Sequence, residues 1–340
     1  AYEEAAQVIE ESLGQPVDRL FLEFDPVPMA AASIGQVHGA VLPNGRRVAV
    51  KVQRPGAPRQ IEADLNLMYQ AARLAKERVR ALDFIDARGL VDEFARAIRQ
   101  ELDYRLEARN AETFRKNFAG HPHVKVPRVY WSYTRPRVLT LEHIDGTQLA
   151  DVETLEYSVE NRRRLAEVLA DTWMTMIFRH GFFHGDPHPG NVLVENGPDG
   201  LRYGILDWGE VGTIDRALED RLGAFILAAA GGDHGDAADS LLDLVTAPGQ
   251  LDADAFRLDV SDWLATYGSG GAESMDVAGA VEDLTRIVRE HRLRMPPDLA
   301  MLGKTLIQLQ GDLAMAGAEL RIQDAVGDYL PGADPAAPLT

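Results

Sequence analysis

His184-Gly-Asp-Pro-His-Pro-Gly-Asn191 is the most informative segment of this sequence. Two prolines and two glycines within eight residues exclude a helix or a strand interior, so the segment is predicted to be a stiff loop. One interpretation is a capping and turn segment with no chemistry, because these residue types favour turns. The two histidines also raise the possibility of a metal site. The chain has no cysteine and no further ligand cluster in sequence, which disfavours zinc.

The polar spacing within this loop predicts a specific chemistry. Asp186 and Asn191 are five residues apart, which is the aspartate-to-asparagine spacing of a kinase catalytic loop. In that chemistry the aspartate accepts or positions the proton of the nucleophile, and the asparagine oxygen binds magnesium. Asp207-Trp-Gly209 follows a predicted strand at 201–206, sixteen residues after Asn191. An aspartate at such a strand end suits a second magnesium ligand.

A lysine closes an apolar strand in the first third of the chain. Val48-Ala-Val-Lys51 follows the turn Pro43-Asn-Gly45, and Asn-Gly between two β-rich runs predicts a hairpin. A lysine at the end of an apolar run needs an anionic partner if it is buried, and a nucleotide phosphate is one such partner. The alternative is a lysine that faces water on an edge strand.

Acidic residues cluster on the second of two long predicted helices, 58–80 and 87–117. Asp103 and Glu107 are four residues apart, and like charges at this spacing destabilise a helix unless a cation lies nearby. Lys51 or Mg²⁺ would be such a cation. Glu101 lies on the same predicted helix. The alternative is a solvated face balanced by neighbouring arginines.

A loop of small residues precedes the lysine hairpin. Met29-Ala-Ala-Ala-Ser-Ile-Gly-Gln-Val37 lies where a kinase carries its glycine-rich phosphate loop, so Ala31, Ala32 and Ser33 are candidate nucleotide contacts. Alanine disfavours positive φ, so this backbone is not expected to wrap phosphates as glycines do. Small residues in a loop also occur simply for packing.

These five features occur in kinase order, and together they resemble the UbiB/AarF family of atypical kinases. The similarity extends from about residue 5 to about residue 320. Its segments are the alanine-rich loop, the lysine strand, Glu101-Leu-Asp103, Glu107 and the loop 184–191.

The resemblance implies a bilobal protein-kinase-like fold that binds ATP or ADP with Mg²⁺. It implies that Lys51 pairs with Glu107, that Asp186 is catalytic, and that Asn191 and Asp207 bind the metal. Glu101 and Asp103 match the family's Glu-x-Asp motif. Family members are linked to isoprenoid quinone and other prenyl-lipid metabolism, often at membranes, with ATPase activity better supported than protein phosphorylation.

Three departures from the family pattern stand out. The N-terminal Lys-x-Gly-Gln helix is not found, because Ser12-Leu-Gly-Gln15 lacks the lysine. Glu101 is then expected to lack its usual partner. Trp208 replaces the usual phenylalanine, which is expected to change packing more than chemistry. No C-terminal membrane span is found, so any membrane contact is expected to be peripheral.

The predicted fold class is α+β, with a β-rich N-lobe and a mainly helical C-lobe. We assign the N-lobe to 1–145, the C-lobe to 146–330 and a disordered tail to 331–340. Strands are predicted at 20–24, 37–42, 46–52, 124–133, 137–142, 192–195 and 201–206. Helices are predicted at 2–13 and 160–180, and beyond 215 only helices separated by glycine-rich breaks.

Composition limits the partners. The 340 residues carry a formal net charge of −18, so nucleic acid is a poor partner. No apolar run approaches the roughly 20 residues of a membrane span, which predicts a cytoplasmic protein with at most peripheral contact at the inner face of a membrane. Arginines at 286, 289, 292 and 294 form a local basic run. The favoured interpretation is a solvated helix end, because cations are favourable near a helix C-terminus. The alternative is contact with anionic lipid.

Three functions remain open from the sequence. The favoured one is an ATP- and Mg²⁺-dependent ATPase or phosphotransferase that supports prenyl-lipid metabolism. The second is a nucleotide-binding regulatory module without phosphoryl transfer. The third is a small-molecule phosphotransferase, which shares the aspartate-to-asparagine loop but not the alanine-rich loop or the Glu-x-Asp motif.

Overall fold

The computed structural model describes residues 2–32, 34–78, 87–154, 157–197, 200–267 and 276–316. The chain forms two compact units. The first contains Ala1–Gly120, Val126–Asp145 and Asp207–Gly209, and the second contains His121–Lys125, Gly146–Leu206 and Glu210–Thr340. The predicted disordered tail lies outside the described residues.

In the first part of the chain, two helices are followed by four strands, three helices and two further strands. In chain order the elements up to residue 145 are α1 (Tyr2–Leu13), α2 (Val17–Leu20), β1 (Glu23–Phe24), β2 (Ala30–Ala31), β3 (Gly35–Val41), β4 (Arg47–Gln53), α3 (Ala57–Arg78), α4 (Ala87–Glu101), α5 (Tyr104–Asn117), β5 (Val124–Lys125) and β6 (Val138–Glu142).

The remainder is mainly helical. Its elements are β7 (Thr147–Gln148), α6 (Val159–Met174), β8 (Phe182–His184), β9 (Val192–Gly197), β10 (Gly200–Ile205), β11 (Val211–Thr213), α7 (Arg216–Gly231), α8 (His234–Leu244), α9 (Ala253–Tyr267), α10 (Val277–Glu290) and α11 (Pro297–Met315). A β-rich N-terminal region followed by a mainly helical one confirms the predicted α+β class.

The first unit is built on an antiparallel sheet with the strand order β1-β3-β4-β6, and β2 pairs with β3. The predicted hairpin is present: β3 pairs with β4 so that Val37 lies opposite Lys51, and Gly45 in the turn has φ 78°. Because β4 lies between β3 and β6, the alternative that placed Lys51 on an edge strand is wrong.

Alternation along β4 divides its side chains between the two faces of the sheet. Val48, Val50 and Val52 are fully buried and form one core with residues of α1, among them Val8 and Ile9. Since successive side chains of a strand point to opposite faces, Lys51 lies on the face away from this core. The apolar run therefore both anchors the strand and presents the lysine.

The predicted helix 87–117 is wrong as a single element, because it is interrupted after Glu101. Asp103 has extended backbone angles, φ −111° and ψ 90°, and its side chain accepts a hydrogen bond from the Arg105 amide as the N-cap of α5. Aspartate favours caps over helix interiors because it satisfies an amide that has no partner within the helix. Asp103 and Glu107 are therefore not neighbours on one continuous helical face.

Two predicted strands are also shorter than expected. The strand predicted at 20–24 is reduced to β1, because Val17–Leu20 forms a helical turn. The strand predicted at 124–133 is reduced to β5, followed by a 3₁₀ turn at Trp131–Tyr133. Pro127 explains part of this, since proline has no amide to donate to a strand neighbour.

The second unit contains a sheet with the order β5-β10-β9-β7 and a short pair of β8 and β11. The predicted helix at 160–180 is present as α6, which continues as a π-helical turn at Thr175–Arg179. Strands β8 and β11 were not predicted, because three residues are too few for a periodic pattern. No helix in the described part of the chain is long and apolar enough to cross a bilayer.

Candidate active site

Two carboxylates of the first unit contact the ammonium group of Lys51. Its Nζ lies 2.9 Å from Oε2 and 3.0 Å from Oε1 of Glu107 on α5. The same Nζ lies 3.3 Å from Oδ2 of Asp207. One ammonium thus holds two carboxylates from segments that are far apart in sequence, and the three groups carry a formal charge of −1.

Burial makes this cluster electrostatically strong. The Lys51 and Glu107 side chains are only 14% and 7% exposed, whereas that of Asp207 is 45% exposed. Burial alone lowers the pKa of Lys51, but the charges of Glu107 and Asp207 outweigh it and raise the pKa above its ordinary value. Lys51 is therefore a permanent cation whose neighbour Asp207 faces solvent.

Tyr104 completes the surroundings of Lys51. The lysine Nζ lies 5.3 Å from the centre of the Tyr104 ring, within the range of a cation–π contact. Tyr104 is 3% exposed, and burial, as the largest cause, raises the pKa of its hydroxyl. The sequence did not predict this residue, although its position three residues before Glu107 on a helix was a usable signal.

The backbone at Asp207 adopts a strained conformation. Asp207 has φ 54°, in the left-handed region that favours glycine, and its Oδ1 accepts a hydrogen bond from the Gly209 amide at 3.2 Å. The next residue, Trp208, is buried against Phe114 with ring centres 4.2 Å apart. Asn110 on α5 donates to the Trp208 carbonyl at 2.9 Å. These contacts hold Asp207 in place.

In the second unit, the loop at 184–191 is organised by its two histidines. Nδ1 of His184 accepts from the Asp186 amide at 3.1 Å, and its Nε2 lies 3.0 Å from the Leu206 carbonyl. Nδ1 of His188 accepts from the Gly190 amide at 3.0 Å. Both rings thus support the loop, and the described residues contain no cluster of His, Asp or Glu that could hold a metal ion by itself.

The loop brings Asp186 and Asn191 into contact. Nδ2 of Asn191 donates to Oδ2 and to the backbone carbonyl of Asp186, each at 3.3 Å. The backbone carbonyl of Asn191 accepts a hydrogen bond from the Leu206 amide at 2.8 Å. Leu206 directly precedes Asp207 in the sequence. Because the amide nitrogen is used in the loop, the side-chain oxygen of Asn191 is the atom suited to bind a cation.

Helix α11 contributes polar contacts that the sequence did not predict. Nε2 of Gln308 donates to Oδ1 of Asp186 at 3.0 Å. Nζ of Lys304 lies 2.9 Å from each carboxylate oxygen of Glu210 and 4.0 Å from Oδ1 of Asp186. Lys304 and Gln308 are four residues apart, so they lie on the same face of the helix. This spacing was a weak sequence signal for a shared polar face.

The other described candidate residues lie in separate elements of the first unit. Glu101 is exposed at the last residue of α4. Asp103 caps α5 and pairs with Arg105 at 2.7 Å. Ala31 lies in β2, and the Ala32 amide donates to the Gly35 carbonyl at 3.1 Å. Ser33 lies outside the described residues.

The basic run near residue 290 is partly neutralised within its own helix. Arg286 lies 3.0 Å from Asp283 and 3.4 Å from Glu290. These pairs favour the interpretation as a helix end over a lipid-binding patch.

Asp207 in the first unit carries a carboxylate, and Asn191 in the second unit carries a side-chain amide oxygen. Each is a hard oxygen ligand of the kind that Mg²⁺ prefers. The formal charge of −1 on Lys51, Glu107 and Asp207 also favours a cation beside Asp207. A buried lysine–glutamate pair, an aspartate after an apolar strand, and an aspartate–asparagine loop define a kinase-like protein.

Comparison with known proteins identifies the family. Residues 1–241 match the ABC1 atypical kinase-like domain, and residues 263–312 match the UbiB helical domain. The chain belongs to the ABC1 atypical kinase-like family, which confirms the resemblance to UbiB/AarF proteins and the kinase-like fold.

Several curated relatives align over most of the chain. A "Probable protein kinase UbiB" from Marinobacter nauticus is 36% identical over 91% of this chain and 57% of its own length. An uncharacterized Synechocystis protein, sll1770, is 35% identical over 92% and 53%. "Protein ACTIVITY OF BC1 COMPLEX KINASE 7, chloroplastic" from Arabidopsis thaliana is 34% identical over 91% and 44%. The chain thus spans about half the length of these relatives.

A solved structure is also similar. The complex of Rv3197 with erythromycin from Mycobacterium tuberculosis matches with a TM-score of 0.74 and 29% identity, and the match covers 98% of this chain and 83% of that one.

Proposed function

We propose that this chain binds ATP or ADP with Mg²⁺ and acts as an ATPase or phosphotransferase. The observation that carries the proposal is the position of the Lys51 Nζ, 2.9 Å from Glu107 and 3.3 Å from Asp207. A buried cation that is fixed by one carboxylate and shared with a more exposed one is suited to hold phosphate oxygens beside a metal ligand.

Each site residue has one role in this proposal. Lys51 contacts the α- and β-phosphates, and Glu107 holds its side chain in place. Asp207 and Asn191 bind Mg²⁺, which supplies charge neutralisation at the phosphate oxygens when bound. Ala31, Ala32 and Ser33 are proposed nucleotide contacts of the alanine-rich loop. Glu101 and Asp103 are proposed nucleotide contacts of the family's Glu-x-Asp motif.

Asp186 acts on the acceptor. The acceptor oxygen, from water or a hydroxyl group, forms a bond to the γ-phosphorus as the bond from that phosphorus to the β–γ bridging oxygen breaks. The electron pair of the broken bond leaves on ADP, and the acceptor proton passes to the Asp186 carboxylate. Such proton transfer typically contributes about 10²- to 10⁴-fold to a rate.

We further propose a role in isoprenoid quinone or other prenyl-lipid metabolism, with peripheral contact at the inner face of a membrane. The support is the family membership together with the relatives named UbiB. A lipid substrate would have to reach Asp186, and liposome flotation with charge-reversed arginines at 289 and 292 tests the membrane contact.

Thermal unfolding in the presence of nucleotide tests the proposal. Millimolar ATP or ADP with Mg²⁺ should stabilise the chain by about 2.7 kcal/mol at 100 times Kd, which corresponds to several degrees. Lys51→Met should abolish this shift, whereas Lys116→Met, at an exposed position on α5, should retain it. No shift in the wild-type chain would exclude nucleotide binding.

A regulatory nucleotide-binding module is the second candidate. It is favoured by the Ala32 amide, which is used within its own hairpin and so is not free to hold phosphate. Asp186→Asn separates the two functions. Phosphoryl transfer predicts that this variant binds nucleotide but loses turnover and cellular function, whereas a regulatory module predicts that function persists. Turnover with a soluble amine or alcohol acceptor would indicate the third function, a small-molecule phosphotransferase.

A further inference from the structure

One face of α11 carries a row of polar side chains. Lys304, Gln308 and Asp312 are spaced four residues apart, so they lie along the same side of the helix. On the same helix the Thr305 hydroxyl donates to the Gly185 carbonyl at 3.3 Å. The helix is thereby fastened to the residue that precedes Asp186.

The two oxygens of the Asp186 carboxylate are held from two directions. Oδ1 accepts from Nε2 of Gln308 at 3.0 Å and lies 4.0 Å from Nζ of Lys304. Oδ2 accepts from Nδ2 of Asn191 at 3.3 Å. Asn191 belongs to the loop itself, whereas Gln308 and Lys304, which approach Oδ1, both belong to helix α11. The orientation of the carboxylate therefore depends on α11.

Lys304 lies between two carboxylates, those of Asp186 and Glu210. Glu210 and Asp186 are both within 4.0 Å of the Lys304 ammonium. Asp312, one turn beyond Gln308, is 3% exposed, and its Oδ2 has no hydrogen-bond partner among the described residues. Burial first, and the charge of Asp186 second, raise the pKa of Asp312 to about 8. Asp312 is thus mainly protonated at pH 7. Among the described residues, Lys304 is the cation that lies within 4.0 Å of Asp186.

We propose that Gln308 and Lys304 are positioning residues for Asp186, which makes helix α11 a working part of the phosphoryl-transfer site. Gln308 fixes the rotation of the carboxylate through a donor that cannot remove the acceptor proton. Lys304 places a positive charge 4.0 Å from Oδ1 of Asp186 and pairs with Glu210. This inference rests on the proposed function, and it gives the matched UbiB helical segment, residues 263–312, a direct role in turnover.

Gln308→Glu is the first test, because it keeps the shape of the side chain but replaces the donor with a like charge. Turnover of Mg-ATP should fall roughly 10- to 100-fold, as is typical when a supporting contact misplaces a reacting group. The Kd for Mg-ADP should change by less than about twofold, because Gln308 contacts Asp186 and is not one of the residues proposed to hold the nucleotide. Gln310→Glu on the same helix is the matched control and should leave turnover unchanged.

The cation is tested separately. Lys304→Met should lower turnover, and Lys304→Arg should restore most of it, because the charge returns. Glu210→Gln removes the other partner of Lys304 and should lower turnover less than Lys304→Met does. An ion pair with a purely structural role would instead make Glu210→Gln and Lys304→Met equivalent, which would overturn the role of Lys304.

Hydrogen–deuterium exchange of residues 184–191 gives a readout that does not need turnover. Exchange should increase in Gln308→Glu and not in Gln310→Glu. If both variants match the wild type in exchange and in turnover, the positioning role is wrong. If the wild-type chain binds nucleotide but shows no turnover, the proposed enzyme function is wrong, and the exchange result alone decides whether α11 holds the loop.

Discussion

Lys51 and Glu107 form a buried ion pair, with 2.9 Å between Nζ and Oε2, although 56 residues separate them in sequence. The strand β4 fixes one partner and the helix α5 fixes the other. The ion pair fixes the position of the Lys51 ammonium. Lys51 also contacts Asp207, whose carboxylate is partly exposed to solvent.

Lys51→Met is expected to destabilise the protein by about 3–5 kcal/mol, because it leaves the Glu107 carboxylate buried without its partner. The double variant Lys51→Met/Glu107→Leu should recover most of this loss, since it removes both charges. Urea unfolding measures both. If the double variant is less stable than either single variant, the buried-pair account is incorrect.

Gly35→Ala is expected to destabilise the first unit. An added Cβ would lie 2.5 Å from the Tyr104 hydroxyl oxygen and 2.6 Å from the Val52 carbonyl oxygen, and the second atom belongs to the backbone. Such overpacking costs about 1–3 kcal/mol. Gly39→Ala on the same strand is the control, because nothing lies within 4 Å of its added Cβ. Thermal unfolding should show a clear loss for the first variant alone.

Asp312 is expected to make stability fall as pH rises from about 4 to 8. Its pKa is raised from 3.8 to about 8 by burial and by the charge of Asp186, so the folded chain retains a proton that the unfolded chain has lost. The unfolded state then binds fewer protons, and the free energy of unfolding decreases with pH. The stabilisation is complete below about pH 4 and is lost by about pH 8.

Urea unfolding at several pH values checks this dependence. Asp312→Asn should remove the slope, and Asp186→Asn should reduce it, because one of its two causes is gone. Asp254→Asn, on an exposed part of α9, should behave like the wild type. An unchanged slope in Asp312→Asn would show that other groups control the pH dependence.

Asp103→Ala is expected to lower stability by about 1 kcal/mol, because α5 loses its N-cap. Asp103→Asn keeps an oxygen for the Arg105 amide and should lose much less. Nucleotide affinity tells whether Asp103 also acts on the ligand. If Asp103 acts only as a cap, both variants bind Mg-ADP as the wild type does, whereas a reduced affinity in both would support the nucleotide contact proposed from the family motif.

Much of the fold follows from local sequence patterns. Asn44-Gly45 between alternating apolar residues predicted the β3–β4 hairpin, since glycine tolerates the positive φ that the turn has at Gly45. The long predicted helix failed at Asp103, because a capping aspartate and a helical aspartate look alike until the backbone is known. Short strands such as β8 failed because their pairing partner lies about thirty residues away.

The candidate residues were predicted for a different reason. Lys51, Asp186, Asn191 and Asp207 lie in short segments where the residue types and their spacing limit the chemistry. Gln308 and Lys304 were missed, because their partner Asp186 is more than one hundred residues away and nothing local marks them. Tyr104 was missed because its contact with Lys51 is a cation–π contact through the ring, and no sequence motif marks it.

The amino-acid sequence by itself determined the fold class, the hairpin that presents Lys51 and the stiffness of the loop around Asp186, because turns, strand alternation and proline act over a few residues. Only the tertiary structure decided which carboxylates share Lys51, how Asp103 is used and which helix holds Asp186. Those outcomes depend on distances between remote segments, and packing, not local preference, sets such distances.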